Sequence, residues 1–229
     1  MPKNIDPIVL PGLYKSHMHS FYGSDVVTKT LPTTEELQKG CPSGENPNDL
    51  SVHWAPTLYH VDGDNYTEVN PVMFSTYYEN IDKAEIPFPN DFYADDIDER
   101  INGITWLPRA ALPQVTCSTH IQAILRFTNC VNVQDIKKHA YAAANGGRCP
   151  ADMKSTLQLR FSIRYDVRKL IPEGWSGPPP LKLACGANLL KATSGRRFMR
   201  IDGARGEGKA GSSCTPQDAD PGNGTSDYK

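Results

Sequence analysis

Leu157-Gln158-Leu159-Arg160-Phe161-Ser162-Ile163-Arg164-Tyr165-Asp166-Val167 is the stretch that decides the fold. Its apolar residues, Leu157, Leu159, Phe161, Ile163, Tyr165 and Val167, alternate with Gln158, Arg160, Ser162, Arg164 and Asp166. Successive side chains of an extended chain point to opposite sides, so this period of two describes a strand with one buried and one wet face. An α-helix would set its apolar residues three and four apart instead. The wet row carries two arginines, an amide, a hydroxyl and a carboxylate. It reads either as a solvated surface or as the floor of a groove, with Arg160 and Arg164 as candidate substrate-binding residues.

The same signal recurs on both sides of this stretch. Residues 52–61 read as a strand, and Asp62-Gly63-Asp64-Asn65 turns them into Tyr66-Thr67-Glu68-Val69 as a hairpin. Pro56 places the first of these at an edge or a bulge, because proline brings no N–H to the ladder. Residues 72–78, 121–127, 181–185 and 197–201 are further strand candidates. Two segments predict helices: 33–40, where Thr33 and Glu36 make a capping box, and 133–144, which runs into Asn145-Gly146-Gly147. With 18 glycines and 19 prolines in 229 residues, the composition suits a loop-rich β protein rather than a helical bundle. Residues 203–229 hold six glycines and almost nothing apolar, which predicts an extended or flexible polar tail pinned at Cys214. The expectation is an all-β chain: an antiparallel β-sandwich or jelly roll over 1–202 with a few short helices, then the tail.

Composition also excludes. No run approaches 18 apolar residues, so no transmembrane helix is expected. A formal net charge of -2 argues against a nucleic-acid binder that relies on a basic surface. Charge is nonetheless polarised: residues 1–102 carry 6 Lys/Arg against 17 Asp/Glu, and residues 154–209 carry 12 against 4. Two complementary parts of one monomeric domain account for this, as does a basic groove for an acidic glycan. The six cysteines form no C-x-x-C pair, which removes zinc-ribbon and thioredoxin-like readings and leaves a disulfide framework. Sequons at Asn65 and Asn223 point the same way, toward the cell exterior. Met1-Pro2-Lys3-Asn4-Ile5 opens no apolar stretch of signal-peptide length, which is read as a missing leader.

For chemistry, His17-Met18-His19 is the most suggestive feature. Residues two apart on a strand share a side, so both imidazoles can reach one metal ion or do acid–base work near neutral pH. Trp54, Trp106 and Trp175 are available as sugar-stacking platforms, and Trp175 joins Arg160 and Arg164 as a candidate for substrate binding. There is no G-x-S-x-G elbow, no P-loop and no Rossmann glycine fingerprint.

Asp6-Pro7-Ile8-Val9, Pro11-Gly12 and Ser16-His17-Met18-His19 with Gly23 resemble the opening of a family of secreted fungal proteins. The family is called domain of unknown function nineteen-ninety-six and often stands beside WSC carbohydrate-binding domains. Trp54-Ala55-Pro56-Thr57-Leu58-Tyr59, Thr76-Tyr77-Tyr78, Cys149-Pro150, Gln158-Leu159-Arg160-Phe161 and Gly174-Trp175-Ser176-Gly177 fit the same pattern. The resemblance spans residues 5–102 and 126–202. Residues 107–122 stand outside it, and Asp135-Ile136-Lys137-Lys138-His139 keeps only part of the family's His-bearing run. Such departures suggest a truncated member, or one whose gene was pieced together wrongly.

The resemblance implies a secreted, wall-associated protein that binds or acts on polysaccharide. The alternative is a non-catalytic, disulfide-stapled structural or interaction protein of the cell surface. It also implies a shared site of His17, His19 and His139, a trio suited to zinc or copper. Finally, it places Cys130 and Cys149 beside one His-bearing loop. Their bridging, which would contribute about 3 kcal/mol through loop closure, is the expected pairing, with Cys117 left over.

Overall fold

The computed structural model describes residues 1–46, 49–89, 93–95, 112, 115–116, 120–184, 195–197 and 214–225. Its strands are β1 (Pro2–Lys3), β2 (His19–Gly23), β3 (Val52–Pro56), β4 (Leu58–Asp62), β5 (Asn65–Glu68), β6 (Met73–Glu79) and β7 (Tyr93–Asp95). They continue as β8 (Ile121–Arg126), β9 (Cys130–Val131), β10 (His139–Ala140), β11 (Lys154–Ser155), β12 (Gln158–Tyr165), β13 (Leu181–Leu183) and β14 (Gly195–Arg197). Two short α-helices, α1 (Thr34–Lys39) and α2 (Val167–Leu170), and 3-10 turns at Ile81–Lys83 and Ala142–Asn145 complete the described elements. Among the described residues every strand pairing is antiparallel and strands dominate the two short helices, so the fold is all-β as the alternation predicts. Among the described residues no helix is long and apolar enough to cross a membrane.

By its contacts the chain groups into two compact units. The first unit takes Met1–Pro56, Asn90–Asp95 and Thr193–Lys229. Its five-stranded sheet has the order β1-β2-β3-β14-β7. Ile5, Phe21, Val27, Leu37, Val52 and Trp54 form its buried core, with the Phe21 and Trp54 rings 5.5 Å apart. Leu37 enters that core from α1, whose start is fixed by the predicted capping box: Thr33 Oγ1 accepts from Glu36 N, and Glu36 Oε2 accepts from Thr33 N. Gly23 ends β2 at φ 90°, and a Cβ there would lie 2.0 Å from the Ser51 carbonyl oxygen, so no other residue fits.

The expected tail contributes its described part, 214–225, to this unit. A disulfide joins Cys41 to Cys214. Lys3, 1% exposed, donates from Nζ to the Asp218 carboxylate at 2.8 Å and to the Asp220 and Asn223 carbonyls. Asn4 N donates to Gly224 O, and the Tyr14 hydroxyl donates to the Asp220 carboxylate. These contacts hold a segment that has almost no apolar surface to bury.

The second unit takes Thr57–Pro89 and Asp96–Ala192 and holds three three-stranded sheets, ordered β6-β12-β8, β13-β4-β5 and β10-β9-β11. The deciding stretch is β12, the middle strand of the first of these. Leu159, Phe161, Ile163 and Tyr165 are buried, while Gln158, Arg160 and Arg164 are half-buried. Phe161 stacks between Phe74 of β6 and Phe127, at 4.9 and 4.7 Å between ring centroids.

The single strand expected at 52–61 is broken. Thr57 interrupts it, its carbonyl taken by Ala184 N at 2.7 Å, and β3 and β4 join sheets of different units. Pro56 is therefore neither edge nor bulge. It closes an inner strand, beyond the Val52–Trp54 ladder to β14, where a missing N–H costs nothing. The hairpin from β4 to β5 turns at Gly63, φ 58°, as its Asp-Gly chemistry predicts.

The helix expected over 133–144 does not form. Asn132 Oδ1 accepts from Gln134 N and Asp135 N, which bends the chain into a turn at the first step. Asn132 N then donates to Lys138 O, and His139 returns to pair with Val131. Only Ala142–Asn145 winds, as a single 3-10 turn. A disulfide between Cys130 and Cys149 closes this loop, with Cα atoms 5.5 Å apart. Cys117 and Cys185 lie outside the described residues.

Candidate functional site

His17 and His19 do come together. In β1 and β2 the register sets Lys3 opposite His19, which carries the imidazole back to the residues that follow β1. There His19 Nδ1 lies 2.8 Å from Ile5 O; a carbonyl only accepts, so Nδ1 holds the proton and Nε2 faces Asp6. Nε2 and Asp6 Oδ2 are 4.0 Å apart, with His19 0% and Asp6 2% exposed. Asp6 Oδ1 accepts from Ile8 N and Val9 N at 3.1 and 3.0 Å, so part of its carboxylate is spent on holding the 6–10 turn. The His17 ring stands 4.2 Å from that of His19, tilted by 47°. Burial, then the neighbouring His19, push the His17 pKa down to about 4 against a smaller upward pull from Asp6, so the ring is neutral at pH 7. Its Nε2 is buried and makes no hydrogen bond.

The third histidine that the family resemblance implies is not part of this pair's unit. His139 belongs to the second unit, on β10. Among the described residues no group of three or more His, Cys, Asp or Glu could hold a metal ion.

Arg160 and Arg164, by contrast, share a face that the structure builds outward. The cross-strand register lines up Tyr77, Arg160 and Arg126, then Ser75, Ser162 and Ile124, then Met73, Arg164 and Gln122. Arg160 Nε donates to Glu79 Oε1 at 2.6 Å, and its guanidinium lies 4.0 Å from the centroid of the Tyr77 ring. Arg126 Nε stands 3.8 Å from the other Glu79 oxygen. Gln122 Nε2 donates to Ser162 Oγ at 2.7 Å. Arg164 is different: its Nε is buried and makes no hydrogen bond, and its flanking residues Met73 and Gln122 are uncharged.

Tyr77, Glu79, Arg126 and Gln122 escape a reading of the sequence because only register reveals them as neighbours of Arg160 and Arg164. Tyr77 and Glu79 do sit two apart in a strand-like run, the one local signal available. Trp175 lies off this sheet, in the loop after α2, where its backbone N–H and carbonyl pair with Thr116. Trp54 is a core residue at 1% exposed, and Trp106 lies outside the described residues. The sequon residues Asn65, on the β4–β5 hairpin, and Asn223, in the 214–225 segment, are both exposed.

Fold and site together define an antiparallel all-β protein, bridged by disulfides, with a polar arginine-bearing sheet face. Residues 6–94 and 98–194 match the family described as Domain of unknown function (DUF1996), and the chain belongs to that family. The match takes in residues 107–122, where the motifs read from the sequence show no likeness to the family. No curated protein and no solved structure matches the chain.

Proposed function

We propose that this chain is a cell-wall-associated, extracellular protein that binds polysaccharide on the polar face of the β6-β12-β8 sheet. The observation that carries the reading is the Tyr77–Arg160–Glu79–Arg126 row. An aromatic ring is held beside a guanidinium, the guanidinium is fixed by a carboxylate, and ring and charges stand on a rigid sheet. Sugars are bound by such pairings, with apolar ring faces on the aromatic and hydroxyls on charged or amide groups. Strand β6 adds apolar surface beside it, with Met73 and Tyr77 at 47 and 39% exposed. Two disulfides and two exposed sequons support the extracellular setting.

Affinity electrophoresis of the purified chain in gels carrying β-glucan, glycol chitin or polygalacturonate tests the proposal. Retardation by at least one polymer, relieved in Tyr77→Ala, is the expected result. The competing reading is a structural or interaction protein with no glycan contact. It draws on the depth of His19 and Asp6, which leaves the most reactive-looking residues holding the fold together. Unretarded migration in every gel would favour it.

A further inference from the structure

We infer that this face selects acidic polysaccharide, a polymer of uronic-acid sugars, and that Arg164 is the residue that reads the carboxylate. The inference rests on the proposed glycan-binding role of the sheet face and adds to it a ligand class and a specificity residue.

The polar rows of β6, β12 and β8 hold three arginines, Arg126, Arg160 and Arg164, against one carboxylate, Glu79. Glu79 is shared between Arg126 and Arg160, so these two are largely compensated. Arg164 is not. Among the described residues it makes no ion pair, and its buried Nε meets no acceptor. Its guanidinium is left without a counter-charge, and an incoming carboxylate supplies one through a planar, two-point contact to the terminal nitrogens, which are not buried. Lysine could not do the same, because its ammonium is a point charge without the fork.

Distance then limits the ligand. Arg164 is four residues along β12 from Arg160, roughly 13 Å at the rise of a strand. One small anion cannot reach both the Tyr77 ring and Arg164. A sugar polymer lying along the strand can, and it must offer rings for the aromatic end and negative charge for the other. A uronic-acid polymer carries both on every unit. Net positive charge of the face complements it, and the exposed amide of Gln122, across the strand from Arg164, offers a group for a sugar hydroxyl.

The test compares polygalacturonate, its methyl ester, laminarin and phosphorylated mannan by isothermal titration, on the wild-type chain and on Arg164→Gln, Arg164→Lys and Tyr77→Ala. Polygalacturonate is expected to bind about tenfold tighter than its methyl ester, a preference of the size one charge-assisted contact supplies. R164Q should abolish that preference and leave binding of the ester within about twofold, and R164K should restore only part of it. Unfolding temperatures of the variants report the fold, and R164K carries the test if R164Q does not fold. Equal binding of polygalacturonate and ester, with both lost in Y77A, would overturn the uronate inference and leave the glycan-binding reading standing. Tighter binding of phosphorylated mannan would likewise overturn it. Failure of every polymer to bind, or binding untouched by Y77A, would overturn both.

Discussion

His17 and His19 in the first unit and Arg160 and Arg164 in the second stand out by the same rule, that residues an even number apart on an extended chain share a side. Their fates differ. His19 is turned inward, its Nδ1 held by Ile5 O and its Nε2 set against a buried carboxylate. Arg160 is turned outward onto a sheet face and tied to its neighbours by an ion pair and a ring contact. Spacing places side chains together; what lies across the strand decides whether they meet solvent or core. For the histidines it is the residues following β1, and for the arginines it is the polar rows of β6 and β8.

The largest expected effect lies on the buried side of this comparison. His19→Ala should destabilise the protein by about 3 kcal/mol, since it opens a cavity and strips partners from Ile5 O and Asp6. Urea unfolding measures this, and a loss below about 1 kcal/mol would place His19 with the solvent-facing pair.

Next comes pH. His17 titrates at about 4 in the folded chain against 6.5 ordinarily, so between those values the unfolded chain takes up a proton the folded one refuses. Its stabilising contribution is full above about pH 6.5 and is lost as pH falls toward 4, by about 2 kcal/mol after allowance for its partial exposure. Thermal unfolding across that range should slope downward toward acid, and His17→Gln should flatten the slope. An unchanged slope in that variant would assign the acid loss to other groups.

Smaller still is the Arg160–Glu79 pair. A double-mutant cycle with Arg160→Gln and Glu79→Gln should return a coupling of about 0.5–1 kcal/mol, as for a half-exposed ion pair. Smallest is Arg164→Gln, whose stability change should stay within about 0.5 kcal/mol because no partner is lost. A strong destabilisation there would show that Arg164 holds the sheet rather than waiting for a ligand.

What can be read from the chain is local. The alternation of β12, the Thr33–Glu36 capping box and the Asp-Gly hairpin all depend on residues a few positions apart, and each stands as the sequence suggests. The helix expected at 133–144 fails although Asn132 gives Gln134 N and Asp135 N the contact a helix start would use, because Asn132 N donates to Lys138 O and His139 pairs back onto Val131. The break at Thr57 and the Asp6–His19 approach are invisible for another reason. Both are made by chain far away in sequence or by a turn whose path no spacing rule describes. On the sheet face, two arginines are legible and their four neighbours are not, because register is a property of pairs of strands.

The Lys3 clasp has a consequence for the order of assembly. Residues 1–56 build most of the first unit, yet its buried ammonium finds its carboxylate only at Asp218, and Cys41 finds its partner 173 residues later. The second unit draws its described strands from 57–183, all of which are synthesised before that partner. During synthesis the N-terminal strands must wait, half-built and with a lysine bound for the interior still in water, until residues 214–225 fold back onto them. Chains cut short just before Cys214 would keep every strand named here and still lack the clasp that holds the first one in place.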